Sequence, residues 1–477
     1  MTVSTEFTAL VLVSVCLLFH ETLALHLTEP QEITNYPTSG SENNVTVTPV
    51  TAGNRIPHEE TGNIGLDLNL ANGQLMESNE MPVRYDEAQL WRIYNISSLE
   101  SPSQVPELLE SRYGGIVWKE NSKFLDVSFA KENIKKARSF LKQLNVSTEV
   151  LIENIQNLVD IEAGQDFTSV RTKKSSEYKR MNWDEYQDID VIYEFMREIR
   201  AANPELCRLY TIGKTAEGRE LKVMRISDNP KDNKKIWIDG GIHAREWISP
   251  AVVTYILDNL MSNWSTLPKY LTSKTWYIMP VMNPDGYMYS RSTNRMWRKN
   301  RSKSSRNSCS GVDLNRNFDI NWKGPGSSTN PCSDTYRGSA PASELETQAV
   351  TRFLGRRKKN LGAYLTYHSY GEMIVYPWAY KTAKVRDHKD LQKAAELAVN
   401  NIQNETGRAY RAATTYELLG VAGGGSDDWS RASLGTKYVY TVELRDRGYY
   451  GFVLPKAQIK ATAREGWTVV DTIAKFF

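Results

Sequence analysis

The chain has 477 residues, and its 59 Lys and Arg residues nearly balance its 56 Asp and Glu residues, leaving a net charge of +3. So mild a charge gives no reason to expect a nucleic-acid-binding protein, which concentrates basic residues on one surface. The length suggests about three units of ordinary domain size.

Residues 1–24 have the features of a secretory signal peptide. An apolar segment runs from Ala9 to Phe19, and Thr22-Leu-Ala24 places small residues where signal peptidase cleaves. No Lys or Arg precedes the apolar segment, so an uncleaved anchor is the alternative, although the segment is too short to cross a bilayer comfortably. We predict a secreted, extracellular protein.

Residues 25–81 form a polar extension rich in Thr, Asn, Glu and Gly. A segment with so few apolar side chains cannot bury a core, so we predict that it is disordered. Residues 82–163 then alternate between strand-like and helix-like patterns, which predicts a small α+β domain. Its predicted elements, in chain order, are a strand at 89–94, a helix at 104–113, strands at 115–118 and 124–129, and a helix at 131–144.

Residues 164–180 are basic and Ser-rich, and they divide this small domain from the rest of the chain. Cleavage points for a trypsin-like protease are available at Arg171, Lys173, Lys174, Lys179 and Arg180. A basic linker can be no more than a solvated connection, but its position between two domains favours proteolytic processing.

Residues 181–477 have a suitable size for one α/β domain. Strand-like and helix-like segments alternate from Leu221 onward, which predicts a mostly parallel or mixed sheet covered by helices. The apolar runs end in polar or ionisable residues that could take part in binding or catalysis, namely His243, Asn283, His368 and Glu443. Ligand sites in such sheets gather at the carboxyl ends of the strands.

His243 and Glu246 form an H-x-x-E pair where a β-branched run gives way to a loop. Ser249 as N-cap and Pro250 in the first turn predict a helix directly after the pair. A catalytic zinc ion needs three nitrogen or oxygen ligands from the protein and one open position. His368 also ends a predicted strand, whereas the other histidines of the mature chain lie in polar segments, so His368 is the expected third ligand.

These residues belong to a set of motifs that resembles the secreted zinc metallocarboxypeptidases of the digestive procarboxypeptidase A/B family. The similarity extends from about residue 82 to the end of the chain. It rests on His243-Ala-Arg-Glu-Trp247, Asn283-Pro-Asp-Gly-Tyr287, Met296-Trp-Arg-Lys299, Gly311-Val-Asp-Leu-Asn-Arg-Asn317, His368-Ser-Tyr370 and Val442-Glu-Leu-Arg-Asp446.

The resemblance implies a fold and a cofactor. The expected fold is a mixed eight-stranded sheet flanked by helices, preceded by an inhibitory α+β open-sandwich prosegment at residues 82–163. The expected cofactor is one Zn2+ per chain, held by His243, Glu246 and His368, which is the two-His, one-Glu set that carboxypeptidase A exemplifies.

The resemblance also implies the catalytic roles. Glu443 would act as the general base that takes a proton from the attacking water, and Arg298 would stabilise the oxyanion. Asp313 would accept a hydrogen bond from His243 and fix its tautomer. An ion pair with Arg445 is the structural alternative for Glu443.

An exopeptidase must recognise a free C-terminal carboxylate, and a planar guanidinium does this well through paired hydrogen bonds. The resemblance places this clamp at Asn315 and Arg316. It gives further substrate-binding positions at Arg245, Ser369, Tyr370 and Phe452.

Asp427, in Gly423-Gly-Gly-Ser-Asp-Asp-Trp429, occupies the position that separates the subfamilies. An apolar residue there accompanies A-type preference for aromatic or aliphatic C-termini, and an Asp accompanies B-type preference for Lys and Arg. A buried carboxylate needs a cationic partner, so we predict removal of C-terminal Lys and Arg. The alternatives are A-type preference and a catalytically inactive, carboxypeptidase-like binding protein.

One position departs from the family pattern. Gly420 stands where the family has a mobile Tyr that closes over the substrate, and Tyr416 lies four residues earlier. We expect weaker closure over the substrate rather than loss of activity.

The cysteines and sequons fit an extracellular chain. Cys309 and Cys332 flank a polar loop, and in the resembling family these positions form a disulfide, which would stabilise by about 3 kcal/mol in the entropic description. Cys207 is left over and is expected to be a buried, unreactive thiol. Sequons that predict a glycoprotein occur at Asn44, Asn95, Asn145, Asn263, Asn300 and Asn404, although Asn300 lies two residues after Arg298.

The expected partners follow from these assignments. We predict a monomer that acts on peptide or protein C-termini after activation by a trypsin-like protease, and that binds no nucleic acid and no membrane.

Overall fold

A computed structural model describes residues 81–99, 104–121, 123–163, 180–231, 233–303 and 308–477. The described residues belong to one compact unit that extends to Phe477. The predicted signal peptide at 1–24, the polar extension at 25–81 except Met81, and the linker at 164–180 except Arg180 lie outside the described residues.

The N-terminal part of the described chain contains a four-stranded antiparallel sheet in the order β2-β3-β1-β4. Its strands are β1 (Gln89–Tyr94), β2 (Ile116–Glu120), β3 (Phe124–Phe129) and β4 (Thr148–Ile152). Its helices are α1 (Val105–Tyr113), α2 (Lys131–Gln143) and α3 (Ile155–Glu162). Apolar side chains of α1 and α2 pack onto this sheet, and the predicted α+β prosegment fold is confirmed.

The C-terminal part contains a mixed eight-stranded sheet in the order β11-β10-β12-β9-β7-β8-β6-β5. The four central strands β12, β9, β7 and β8 run parallel, and antiparallel pairs occur at both sides. This confirms the expected sheet. Its strands are β5 (Cys207–Lys214), β6 (Glu220–Ile226), β7 (Lys234–Asp239), β8 (Lys274–Met279), β9 (Leu361–His368), β10 (Met373–Tyr376), β11 (Arg411–Thr414) and β12 (Tyr438–Glu443).

Helices cover both faces of this sheet. Strand β7 shows why, because Ile236 and Ile238 enter the larger apolar core while Trp237 between them enters a second core on the opposite face. The helices are α4 (Ile189–Ala202), α5 (Ile248–Ser262), α6 (Lys269–Thr272), α7 (Pro284–Ser292), α8 (Leu345–Gly355), α9 (His388–Thr406), α10 (Thr415–Leu419), α11 (Ser426–Trp429) and α12 (Ile459–Ala474). Leu314–Arg316 forms a 3-10 turn.

Helix α5 begins at Ile248, so the prediction that Ser249 is its N-cap is wrong. The Ser249 hydroxyl instead accepts a hydrogen bond from the Gly241 N–H at 2.9 Å and donates to the Tyr367 carbonyl at 2.6 Å. It thereby ties the loop after β7 to strand β9. A Cβ on Gly240 would lie 2.7 Å from the Ser249 oxygen, so this close approach requires glycine.

The cysteines lie as predicted. Cys309 and Cys332 form a disulfide with a Cα–Cα distance of 5.1 Å. Cys207 is buried, its Sγ lies 3.5 Å from the sulfur of Met261, and burial raises the pKa of its thiol to about 11. None of the helices in the described part of the chain combines the length and the hydrophobicity needed to cross a bilayer.

Candidate active site

Three buried side chains converge at the carboxyl ends of two neighbouring strands. His243 and Glu246 lie in the loop after β7, and His368 is the last residue of β9, which pairs in parallel with β7. One ligand atom from each side chain lies within 4.8 Å of the other two, and the three residues are the only cluster of this kind in the residues that the structure describes. The donor set fits the catalytic zinc ion that the sequence predicts.

The histidine rings turn their Nδ1 atoms towards Glu246. His243 Nδ1 lies 2.7 Å from Glu246 Oε1, and His368 Nδ1 lies 3.1 Å from Glu246 Oε2. The Nε2 atoms point away, that of His243 to Asp313 Oδ1 at 3.2 Å and that of His368 to the Thr366 hydroxyl at 3.3 Å. A proton on each Nε2 leaves both Nδ1 lone pairs available to a metal.

Asp313 connects the candidate metal ligand His243 to Arg298. Its Oδ2 accepts hydrogen bonds from Arg298 Nε at 3.0 Å and Nη2 at 2.9 Å, while its Oδ1 faces His243. Burial acts against the charge of Asp313, but Arg298 and His243 hold the pKa of this carboxyl well below its usual value. Asp313 is therefore an ionised acceptor that orients both neighbours, and Arg298 Nη1 takes no part in this ion pair.

Glu443 ends strand β12 and lies beside His368, its partner in the parallel register with β9. Burial raises the pKa of Glu443 to about 7, with Glu246 adding to the rise and His368 opposing it. A carboxyl with a pKa near neutrality is suited to accept and return a proton. The alternative partner Arg445 is engaged elsewhere, since its Nε donates to Glu465 Oε2 at 2.9 Å.

A cavity of about 670 Å³ joins these groups to the predicted substrate-binding residues. It is lined by all three candidate metal ligands and by Arg245, Arg298, Asn315, Arg316, Ser369, Tyr370, Asp427, Glu443 and Phe452. Asp313 lies behind the cavity wall, against His243 and Arg298. Asn283 has a different role, because its side chain caps α7 by accepting from the Gly286 N–H at 2.9 Å.

Arg316 is bound to neutral groups within the described chain. Its Nε donates to the Gly326 carbonyl at 2.6 Å and its Nη1 to the Asn315 carbonyl at 3.0 Å. Asn315 is held in turn, because its Oδ1 accepts from the Ser426 N–H at 2.9 Å. With carbonyls alone as hydrogen-bond partners, the Arg316 guanidinium keeps its charge available to a carboxylate ligand.

Strand β2 of the small domain covers the outer part of the cavity. The Val117 carbonyl accepts from Arg245 Nη2 at 2.9 Å, and the Trp118 ring lies 5.0 Å from that of Phe452. Lys119 Nζ donates to the Tyr370 carbonyl at 3.0 Å. Each of these partners of β2 is a predicted substrate-binding residue.

Asp427 lies in the short helix α11 and is 4% exposed. Its Oδ2 lies 3.1 Å from the hydroxyl of Thr415, the first residue of α10. Tyr416 and Gly420 both line the cavity as well, so helix α10 brings Tyr416 to the site despite its earlier place in the chain.

Sequence reasoning did not find Thr415 and Lys119. Thr415 follows β11, a four-residue strand whose Arg-Ala-Ala-Thr sequence has no strand pattern. Lys119 comes one residue after the predicted end of β2, and its position in the cavity depends on how the two sheets pack. No signal within the sequence marks either residue.

Comparisons with known proteins agree with this geometry. Residues 192–469 match the family model described as zinc carboxypeptidase, and residues 101–162 match the model described as carboxypeptidase activation peptide. Carboxypeptidase A2 of Mus musculus is 38% identical over 344 residues, which cover 72% of this chain and 81% of that protein. Carboxypeptidase B of Astacus astacus is 40% identical over 297 residues, which cover 62% of this chain and 98% of that protein.

A solved structure is similar over both parts of the described chain. The crystal structure of thrombin activatable fibrinolysis inhibitor matches with a TM-score of 0.71 and 33% identity. The match covers 82% of this chain and 98% of that one.

Proposed function

The chain belongs to the zinc carboxypeptidase family, and from this premise we propose that it is a secreted zymogen whose activated form removes C-terminal Lys and Arg. Its family makes it a zinc-dependent metallocarboxypeptidase with an activation peptide, which implies proteolytic activation and action on peptide C-termini. The observation that carries the proposed specificity is the buried Asp427 carboxylate at the cavity.

Each residue of the site has its own role in the reaction. Nδ1 of His243, Nδ1 of His368 and the Glu246 carboxylate would hold zinc, which when bound acts as a Lewis acid and makes water more acidic. Glu443 takes a proton from the attacking water and returns it to the amine as the C–N bond breaks. Arg298 donates to the oxygen that becomes negatively charged when water adds to the scissile carbonyl.

The last residue of the substrate is bound at two places, its free C-terminal carboxylate and its side chain. Arg316 and Asn315 bind the free C-terminal carboxylate, which explains why an amide or a longer chain at this position would be disfavoured. Arg245, Ser369, Tyr370 and Phe452 contact the residues before the scissile bond. The last side chain then extends towards Asp427.

The two adjacent aspartates differ in their partners. Asp428 accepts backbone hydrogen bonds from the N–H groups of Ala379 and Tyr380 at 3.0 and 3.2 Å. Asp427 has the neutral Thr415 hydroxyl as its neighbour, and no Lys or Arg within the described residues forms an ion pair with it. Arg316 is near enough to attract Asp427 electrostatically, but it forms no ion pair with it. A buried carboxylate that is not ion-paired stabilises a guanidinium or ammonium ligand and penalises an apolar one.

Overall similarity does not decide between the two specificities. The chain is similar to a protein named carboxypeptidase B at 40% identity and to one named carboxypeptidase A2 at 38%. The proposed preference rests instead on Asp427 at the cavity, whose carboxylate favours C-terminal Lys and Arg.

We further propose the processing of the chain. Its parts are a signal peptide at 1–24, a polar extension at 25–81, a prosegment at 82–163, an activation linker at 164–180 and a catalytic domain at 181–477. Glu162, near the end of the prosegment, pairs with Arg295 of the catalytic domain, so a trypsin-like protease would cut after this anchored point. The disulfide supports an extracellular location, and a monomer suffices because one chain supplies every site residue.

The experiment is a specificity panel on the trypsin-treated protein. Peptides that differ only in their last residue, Arg, Lys, Phe or Leu, are followed by mass spectrometry with and without a zinc chelator. We expect single-residue loss from the Arg and Lys peptides, inhibition by the chelator, recovery with added Zn2+, and no cleavage of the Arg peptide with an amidated C-terminus. Faster loss of Phe or Leu would overturn the proposed specificity, and cleavage of the amidated peptide would overturn the role of the carboxylate clamp.

A further inference from the structure

Thr415 is held in place by the sheet and by a helix cap. Strand β11 pairs with β10 up to the partners Thr414 and Tyr376, and α10 begins at the next residue. Thr414 and Glu417 form a capping box, with Glu417 N–H donating to the Thr414 hydroxyl at 3.2 Å and Thr414 N–H donating to the Glu417 carboxylate at 3.1 Å. The position of Thr415 is therefore fixed on both sides.

The Thr415 hydroxyl has two acceptors within reach. Asp427 Oδ2 lies 3.1 Å away, and the Tyr376 carbonyl lies 3.3 Å away. The hydroxyl has one proton, and the nearer, charged carboxylate is the stronger acceptor. Thr415 is 6% exposed, so water competes little for this hydrogen bond.

The other side of the Asp427 carboxylate is confined by backbone. A Cβ on Gly425 would lie 2.7 Å from Asp427 Oδ1, so this glycine lets the chain pass close to the oxygen. The carboxylate plane is thus defined by a hydrogen bond at Oδ2 and by close packing near Oδ1. Each oxygen keeps a lone pair for a ligand, because a carboxylate offers about four acceptor positions.

We propose that Thr415 is a positioning residue that orients the Asp427 carboxylate for a two-point contact with a guanidinium, and thereby favours C-terminal Arg over Lys. The proposal rests on the Lys and Arg specificity proposed above. Arginine presents a rigid planar pair of N–H donors. Both donors reach the two carboxylate oxygens only when the carboxylate lies in the plane of the guanidinium. Lysine presents a compact charge with rotatable donors, so it tolerates a carboxylate that turns.

The test compares Thr415→Val, which has nearly the same shape but no hydroxyl, with Thr415→Ser, which keeps the hydroxyl. Activated proteins are assayed with benzoyl-Gly-Arg and benzoyl-Gly-Lys, and zinc content and thermal unfolding are measured alongside. We expect Thr415→Val to lower kcat/KM for the Arg substrate about tenfold, mainly through KM, and for the Lys substrate about twofold at most. Thr415→Ser should stay within about twofold of the wild type for both.

The ratio of the two substrates separates positioning from general damage. An equal loss on Arg and Lys, an unchanged ratio in Thr415→Val, or a failure of Thr415→Ser to retain the ratio would overturn the role of Thr415. If Thr415→Val does not fold, Thr415→Ala replaces it and the same ratio decides. A wild-type enzyme that prefers benzoyl-Gly-Phe would overturn the proposed specificity and this inference together, whereas a wild type that prefers Arg and Lys isolates the failure to Thr415.

Discussion

Glu443 combines burial with proximity to the candidate metal ligands. It stands beside His368 in the sheet, and its pKa is raised by burial to about 7. We propose that Glu443 moves a proton and does not hold the metal, since the three candidate ligand side chains form a complete set without it.

Replacement of Glu443 by Gln is therefore expected to lower kcat by a factor of about 10² to 10⁴ while zinc remains bound. The amide has almost the same shape but cannot take a proton from water. Steady-state kinetics on the activated enzyme, together with metal analysis of the same sample, measures both quantities. Activity within tenfold of the wild type would contradict the assignment, and loss of zinc would show that Glu443 supports the metal site.

Asn300 shows how burial decides the fate of a sequence motif. Its side chain is 0% exposed, and its Nδ2 donates to Glu344 at 2.8 Å and to Glu346 at 3.2 Å. This nitrogen is the atom to which a glycan would be attached. The Asn263 side chain, in contrast, lies exposed at the end of α5.

We expect glycan occupancy at Asn263 and none at Asn300 in the folded, secreted protein. Enzymatic deglycosylation in isotopically labelled water marks each formerly modified Asn, and peptide mass spectrometry reads the positions. A glycan at Asn300 in catalytically active protein would contradict the packing described here.

The sequence was informative about the residues that carry short, spaced motifs. His243, Glu246 and His368 follow predicted strands and are brought together because their strands are parallel neighbours. Thr415 belongs to no motif, and it becomes meaningful only through its hydroxyl's 3.1 Å contact with Asp427, twelve residues later. Such a contact depends on side-chain packing, which a single sequence does not record.

Strand β2 of the prosegment crosses the outer part of the cavity. Its consecutive residues Val117, Trp118 and Lys119 contact Arg245, Phe452 and Tyr370, respectively. Burial lowers the pKa of Lys119 to about 8, although the nearby Glu443 carboxylate favours its charged form. The strand thus places a cation near Glu443, which we propose as the general base.

Lys119→Ala is expected to raise the activity of the uncleaved zymogen towards a small substrate by about tenfold, since one charge-assisted contact near the base is removed. Lys135→Ala, on the exposed side of α2, is the matched control and should leave that activity unchanged. Initial rates with benzoyl-Gly-Arg before and after trypsin treatment give the comparison. Equal activities of both variants before cleavage would argue that Lys119 does not contribute to latency.

The burial pattern of each strand and helix explains which of the predicted elements agree with the structure. The predicted bounds of strands β1 and β3 match the structure to the residue because both strands are largely buried and mostly apolar. Strand β4 was missed because it lies at the sheet edge, with Thr148, Glu149 and Val150 exposed. The predicted start of α5 is wrong because the hydroxyl of Ser249, a good capping residue in isolation, instead joins the loop after β7 to strand β9.

The prosegment and the catalytic domain share a partly buried polar contact. Glu110 of α1 accepts from the Ser333 hydroxyl at 2.7 Å, and burial together with Asp334 raises the pKa of Glu110 from 4.5 to about 7. Between these two pH values the folded zymogen holds a proton that the unfolded chain releases. The contribution of Glu110 to folding therefore becomes less favourable as pH rises from about 4.5 to about 7.

Glu110→Gln should remove this dependence, because the neutral amide can still accept from Ser333. We expect the variant zymogen to resemble the wild type near pH 4.5 and to exceed it above pH 7, by up to about 3 kcal/mol in the free energy of unfolding. Denaturant unfolding at pH 5 and pH 7.5 measures the difference. A variant that is less stable than the wild type at pH 7.5 would contradict an unfavourable charge at this interface.

At the scale of the whole molecule, one sheet brings together a candidate zinc site and a carboxylate, Asp427, that we propose sets the substrate preference. The family could be predicted from motifs, and the sheet then places the motif residues around a single cavity. The way in which the prosegment covers the cavity could not be predicted, because it arises from packing between two separately patterned domains.

The central claim is tested most directly by the ratio of kcat/KM for benzoyl-Gly-Arg to that for benzoyl-Gly-Phe, measured on the trypsin-activated enzyme. A buried carboxylate that forms no ion pair with a Lys or Arg of the described residues predicts a ratio well above ten, since pairing or failing to pair such a group is worth more than about 1.4 kcal/mol. The same ratio should fall below one in Asp427→Ile. A wild-type ratio below one would contradict the account.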